Sequence, residues 1–239
     1  MSNDRLKDFL NIKNSTDISA DLYFYGDIVS DSWGAWQEED QYPEAIRDFL
    51  KGQEGKDLNI FINSGGGSVF AGIAIYNMLK RHNGKKTVHV DGLAASIASV
   101  IALAGDEIIM PNNSYLMIHK PSNIVWGNAT DMRKMADDLD TIQIGIENVY
   151  KSKLKEGIDI EIIRGLMDKE TWLPASEAEK YFNITLVEEN KAVAKLDMKS
   201  LKDYKHIPYE LKKNINNKKD NIDKRLKNKL QVELDLLNM

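Results

Sequence analysis

The stretch from Val90 to Ser99, VDGLAASIAS, constrains this chain more than any other. It follows a β-like run, Lys86 to Val90, and opens an apolar, helix-like run, Ile97 to Leu103, so Ser96 falls where a strand turns into a helix. At a first helical turn, unpaired backbone N–H groups and the positive end of the helix dipole favour developing negative charge. Such a position suits a nucleophile. The small neighbours Gly92, Ala94, Ala95 and Ala98 leave room for another backbone or a substrate. The same residues also fit a helix start packed tightly on a sheet, so the other motifs have to decide between the two.

The elements around this junction alternate. Ala20 to Tyr25 has strand composition, Pro43 opens a short helix over Glu44 to Lys51, and Leu58 to Ile62 reads as a buried strand. The chain then turns through Asn63-Ser64-Gly65-Gly66-Gly67 into a helix whose Val69, Ile73, Tyr76 and Leu79 recur at helical spacing, stopped by Asn83-Gly84. Thr87 to Val90 is the next strand, and Glu107 to Met110, Tyr115 to His119 and Ile184 to Val187 follow as short strands. This βαβα order predicts an α/β fold with a largely parallel sheet. Helical patterns also cover 129–153, Asp159 to Met167, and Pro174 to about Tyr181. In the first of these, Met132, Met135, Leu139, Ile142, Ile146 and Val149 form a narrow apolar seam, which predicts a protruding helix packed against a partner subunit.

With 239 residues, 42% hydrophobic and 29% charged, the chain has material for one large domain with an appendage and is not of disordered composition. The polar start MSNDRLKDFLNIKNS lacks the apolar centre of a secretory signal and no run of 18 apolar residues occurs, which predicts a soluble, cytoplasmic protein without a membrane partner. The absence of cysteine excludes a cysteine nucleophile and any thiolate metal site. Residues 190–239 carry 13 Lys+Arg against 7 Asp+Glu, leaving a net charge of −11 on the rest. The expected organisation is an N-terminal arm, 1–19, with a short amphipathic stretch over Leu6 to Ile12, a catalytic domain, 20–189, and a basic, partly helical extension, 190–239. The extension holds Leu230, Val232, Leu234 and Leu237, and with only Tyr204 and Tyr209 for stacking it argues against nucleic-acid binding. It is expected to dock weakly on its own body, to engage other subunits or an acidic partner such as a capsid-assembly component, and to be dispensable for hydrolysing a small peptide.

A strand, a glycine turn and a helix start let backbone N–H groups approach an oxygen of a phosphate or an oxyanion. No lysine follows Gly67 before Lys80, so the pattern is not a phosphate-binding loop, and a tight turn alone also fits. Of the four histidines, His82 ends a polar helix, His89 lies inside a strand and His206 sits in the basic stretch. His119, at a strand end, is the one placed to act as general base for Ser96. Either Asp168 or Glu170 could orient a histidine, and both could equally be surface carboxylates. No metal or cofactor is called for.

Taken in order, INSGGGSVFAGIAIY, DGLAASIAS, YLMIHKP and ETWLPASEAEKY resemble the ClpP-like family of serine proteases, the proteolytic subunit of the Clp protease, over about Asp21 to Glu189. The resemblance is closer to the ClpP-related head maturation proteases of tailed phages and prophages. It implies a crotonase-like βαβ spiral fold with a long handle helix, and a serine endopeptidase working through an acyl-enzyme. Ser96 would be the nucleophile and His119 the base, with the Gly67 and Ile97 N–H groups forming the oxyanion hole. The family's aspartate position holds Glu170, with Asp168 as the alternative acid, and Gly65 stands where the family has proline. The implied partners are peptide or protein substrates, capsid or scaffold proteins among them. A homo-oligomeric seven-fold ring, single or stacked as a tetradecamer, and a separate ATPase unfoldase are implied too, with the bacterial cytoplasm or the phage procapsid as location. Two other classes fit the residues: a non-catalytic capsid-assembly or scaffold protein, and a crotonase-type acyl-CoA enzyme.

Overall fold

A computed structural model describes residues 15–188, Leu201 and residues 204–208. The amphipathic stretch expected over Leu6 to Ile12 and the helix expected around Leu230 to Leu237 lie outside the described residues.

Alternating burial builds the sheet. β1 (Ser19–Phe24) buries Ala20, Leu22 and Phe24, and β2 (Asp57–Ser64) buries Leu58, Ile60 and Ile62. The opposite face carries an aromatic row across three strands. Tyr23 stacks on Phe61 at 4.8 Å and Phe61 on His89 at 4.9 Å, which gives the strand histidine a packing role.

β3 (Lys86–Ala95) positions the site. Its first half, Thr87 to His89, pairs in parallel with β4 (Glu107–Pro111), while its second half, Leu93 to Ala95, pairs in parallel with β5 (Tyr115–Ile118). The strand therefore leaves one neighbour and continues beside another, which carries it past the expected end at Val90 to deliver Ser96. The main path of the sheet runs β1-β2-β3-β4-β7 with parallel pairs throughout, closing on β7 (Thr185–Val187). The exception is β6 (Thr171–Pro174), antiparallel to β5. Four residues are too few to show a period, so the sequence reads them only as a lead-in to a helix.

The helices begin and end where local chemistry dictates. α1 (Pro43–Lys51) starts on proline, and α2 (Val69–Arg81) is capped by Ser68, whose side chain accepts from Ala71 N. α3 (Ile97–Ala102) is buried at all six positions, so the helix behind Ser96 is held within the core. α4 (Ala129–Lys151) opens with a capping box: Asn128 Oδ1 accepts from Asp131 N at 3.3 Å, and Asp131 Oδ2 accepts from Asn128 N at 2.9 Å. Of its apolar seam only Ile146 and Val149 are buried, and Met132 is 53% exposed. α5 (Ile160–Asp168) and α6 (Ala175–Tyr181) complete the set. Among the described residues no helix is long and apolar enough to cross a membrane.

Candidate active site

Ser96 sits between β3 and α3 with φ 54° and ψ −125°, backbone that few residues other than glycine adopt. Only two non-glycine residues among those described have positive φ, Ser96 and Glu170, and both are residues the sequence reading singled out. Such conformations persist where the surroundings over-determine them. Here the Ser96 N–H donates to Met117 O at 2.8 Å, while the Ser96 carbonyl accepts from Ser99 N at 3.0 Å and from Ser99 Oγ at 2.6 Å. Ser99 Oγ is itself 2.8 Å from the Tyr150 hydroxyl at the buried end of α4. Burial pushes the Tyr150 hydroxyl well above its usual pKa and keeps it neutral. Neither Ser99 nor Tyr150 is singled out by sequence reasoning; the signal for Ser99 is its place three residues after Ser96.

His119 follows the last residue of β5, and its Nε2 lies 2.7 Å from Ser96 Oγ. Burial lowers its pKa, and the negative charge of Glu170 opposes that shift. A base held neutral is ready to accept a proton.

The glycine turn lies against the serine. A Cβ on Gly66, whose φ is +97°, would meet Ala95 O at 2.7 Å and Ser96 Cβ at 2.9 Å; one on Gly67, at φ +141°, would meet Ile28 O at 2.1 Å. Only glycine fits either place. Gly67 forms a parallel bridge with Ile28 in which the bonds are Ile28 N to Gly66 O, 2.8 Å, and Ser68 N to Ile28 O, 2.7 Å. In a parallel bridge the central residue's own N–H points away from the partner strand, so the Gly67 N–H is not used there. Ile97, the first residue of α3, has no intrahelical acceptor for its N–H.

The structure separates the two candidate acids. Asp168 ion-pairs with Lys120 at 2.6 Å, and its side chain is 53% exposed. Glu170, with φ 49°, has a side chain only 12% exposed, and its Oε1 accepts from the N–H groups of Lys205 and His206, each at 2.7 Å. The remaining histidines stand apart from Ser96. His82 Nε2 is 2.7 Å from Lys56 O, and the His206 side chain is 65% exposed.

The described part of the stretch after residue 190 lies against the sheet: Leu201 is fully buried among Leu93, Ala95 and Met117, with Tyr115, Trp172, Tyr204 and Ile207 packed around them. Dense lysine in this stretch hides the three apolar residues that make the contact.

Beside Ser96 and His119 lies a small cavity of about 10 Å³, walled by Val69, Ile97, Val100, Pro121, Ile146 and Tyr150. The arrangement can do acyl transfer: a hydroxyl bonded to a half-buried imidazole, with the Gly67 and Ile97 N–H groups close by.

Comparison with known proteins agrees. The model of the Clp protease family matches residues 45–190. The ATP-dependent Clp protease proteolytic subunit of Ligilactobacillus salivarius is 35% identical over 155 residues, 60% of this chain and 73% of that protein. The corresponding subunit of Bacteroides fragilis is 32% identical over 130 residues, 53% of this chain and 61% of its own length. Subunit 2 of Thermobifida fusca is 35% identical over 130 residues, 53% of this chain and 62% of its own length. The chain thus spans about three-fifths of the latter two relatives. A match over residues 45–190, more than half the sequence, places this chain in the Clp protease family of serine-type peptidases.

Proposed function

We propose that the chain is an endopeptidase in which Ser96 is the nucleophile, His119 the general base and Glu170 the acid that orients it. The observation that carries this reading is the 2.7 Å contact between His119 Nε2 and Ser96 Oγ at a strand-to-helix turn. Ser96 Oγ attacks the scissile carbonyl carbon while His119 takes the hydroxyl proton, and the carbonyl oxygen becomes an oxyanion held by the Gly67 and Ile97 N–H groups. His119 then gives the proton to the leaving amine, and the C–N bond breaks. Water, deprotonated by His119, clears the acyl-enzyme and restores the Ser96 hydroxyl. An acyl-CoA enzyme or a scaffold protein has no use for the Ser96–His119 pair.

Two finer readings follow the same line. Gly65 and Glu170 stand where the resemblance implies proline and aspartate, and the basic extension lies beyond the matched region. Together with the resemblance to head maturation proteases, this supports a phage-type branch with a ClpP-type spiral fold, acting on capsid or scaffold proteins. The exposed seam of α4 supports assembly into a ring, the helix serving as a handle between subunits. Light scattering at working concentration is expected to give a closed oligomer, and a monodisperse monomer would overturn that part.

A fluorophosphonate probe tests the site itself. It is expected to label the full-length protein at Ser96, with labelling lost in Ser96→Ala. Absence of label on the folded protein, or label elsewhere, would remove Ser96 from the mechanism.

A further inference from the structure

Leu201 and residues 204–206 lie outside the region matched to the family, yet they meet three parts of the site at once. Leu201, fully buried against Leu93, Ala95 and Met117, anchors the segment to the sheet. The Tyr204 hydroxyl donates to Gly65 O, the start of the glycine turn, at 2.5 Å. Its ring stands at 90° to the His119 ring with centroids 5.2 Å apart, and at 82° to Trp172 at 5.9 Å. The next two N–H groups, of Lys205 and His206, both bind Glu170 Oε1 at 2.7 Å.

We propose that this segment is a positioning strap for the hydrolytic site, with Tyr204 steadying the His119 ring and the Lys205 and His206 N–H groups holding the Glu170 carboxylate. The inference rests on the reading of Ser96, His119 and Glu170 given above. A glutamate has one more torsion than the aspartate it replaces, so its carboxylate can sweep through more positions. Two converging donors on Oε1 restrict that freedom. The Tyr204 contact is ring against ring, so it fixes the plane of His119 and shields it from water while leaving its nitrogens available.

The test uses full-length variants, a short fluorogenic peptide, and circular dichroism with light scattering to confirm fold and assembly. Tyr204→Ala is expected to lower kcat about tenfold or more with KM changed by less than about twofold, the mark of lost alignment rather than lost binding. Removing the ring also lets water reach His119. That relieves the burial which lowers its pKa, so the acidic limb of the rate profile moves to higher pH. Tyr204→Phe keeps the ring and is expected to keep the wild-type pH profile. His206→Pro deletes one N–H donor to Glu170 together with the imidazole whose Nδ1 lies 4.0 Å from Oε1, His206→Ala run beside it removes the imidazole alone, and Glu170→Asp withdraws the carboxylate from both N–H groups. His206→Pro and Glu170→Asp each lower kcat, and their double variant is expected to be no worse than the worse single one. A folded Tyr204→Ala protein with unchanged kcat and pH profile would overturn the proposal. So would additive losses in the double variant, or a rise in kcat/KM that would make the segment a lid over the substrate path. If Tyr204→Ala does not fold, the His206→Pro and Glu170→Asp pair decides. Ser96→Ala run alongside separates the two levels: loss there with normal Tyr204→Ala kinetics rejects the strap alone, whereas retained activity in Ser96→Ala rejects the site it serves.

Discussion

Replacing Ser96 by alanine is expected to reduce peptide hydrolysis by about 10⁶-fold in kcat, the scale seen when a serine peptidase loses its nucleophile. The fold is expected to stay. The bonds that hold this residue are made by its backbone, Ser96 N to Met117 O and Ser96 O to Ser99, while Oγ contacts His119. Alanine keeps all the backbone bonds and removes no core volume, so the melting temperature changes little. Steady-state kinetics on a short peptide together with thermal denaturation check both halves. Full activity in a folded Ser96→Ala protein would sink the mechanism.

Glu170→Gln is expected to lower kcat by about 10⁴-fold, the size of the effect when the orienting acid of such a triad becomes an amide. Asp168→Asn should leave kcat nearly unchanged, because Asp168 is committed to Lys120 at 2.6 Å on the surface. The two variants also differ in their pH profiles. His119 must be neutral to accept the Ser96 proton; burial lowers its pKa and the Glu170 charge raises it. Removing that charge leaves burial unopposed, the pKa falls further, and the acidic limb of kcat/KM moves to lower pH even as the maximum drops. Asp168→Asn is expected to leave the limb where it is. The opposite pattern, with activity lost only in Asp168→Asn, would transfer the role to Asp168.

How far the sequence carries the reader depends on the kind of signal each residue leaves. The Ser96 junction was legible because a strand pattern ends and an apolar helix begins within one decapeptide, and His119 because a strand stops beside it. The extension of β3 through Gly92, Ala94 and Ala95 was not legible. Small residues have little strand preference of their own, and pairing with β5 imposes it. Tyr150 meets Ser99 across 51 positions, a contact that no local pattern encodes. The proposed preference for Glu170 over Asp168 draws on which carboxylate finds a surface lysine and which is covered, and that is not written in two residues of sequence. Tyr204 sat in a stretch whose lysines dominated its reading, although Leu201, Tyr204 and Ile207 recur at the three-residue spacing that lets them share a face.

Ser96 and Glu170 hold backbone conformations that glycine would adopt more easily, at a cost of order 1–3 kcal/mol each. Among the described residues, the two side-chain-bearing positions with positive φ are thus the proposed nucleophile and the proposed acid, held against a total stability that for a domain of this kind is only about 5–15 kcal/mol. Selection for thermal robustness alone would work against both residues. Glycine at Ser96 would relax the turn, and glycine at Glu170 would relax another while freeing the Lys205 and His206 amides to water. A lineage that no longer required cleavage would thus have a downhill path to a sturdier, inert copy of the same fold, and the serine and glutamate would be among the first residues it shed.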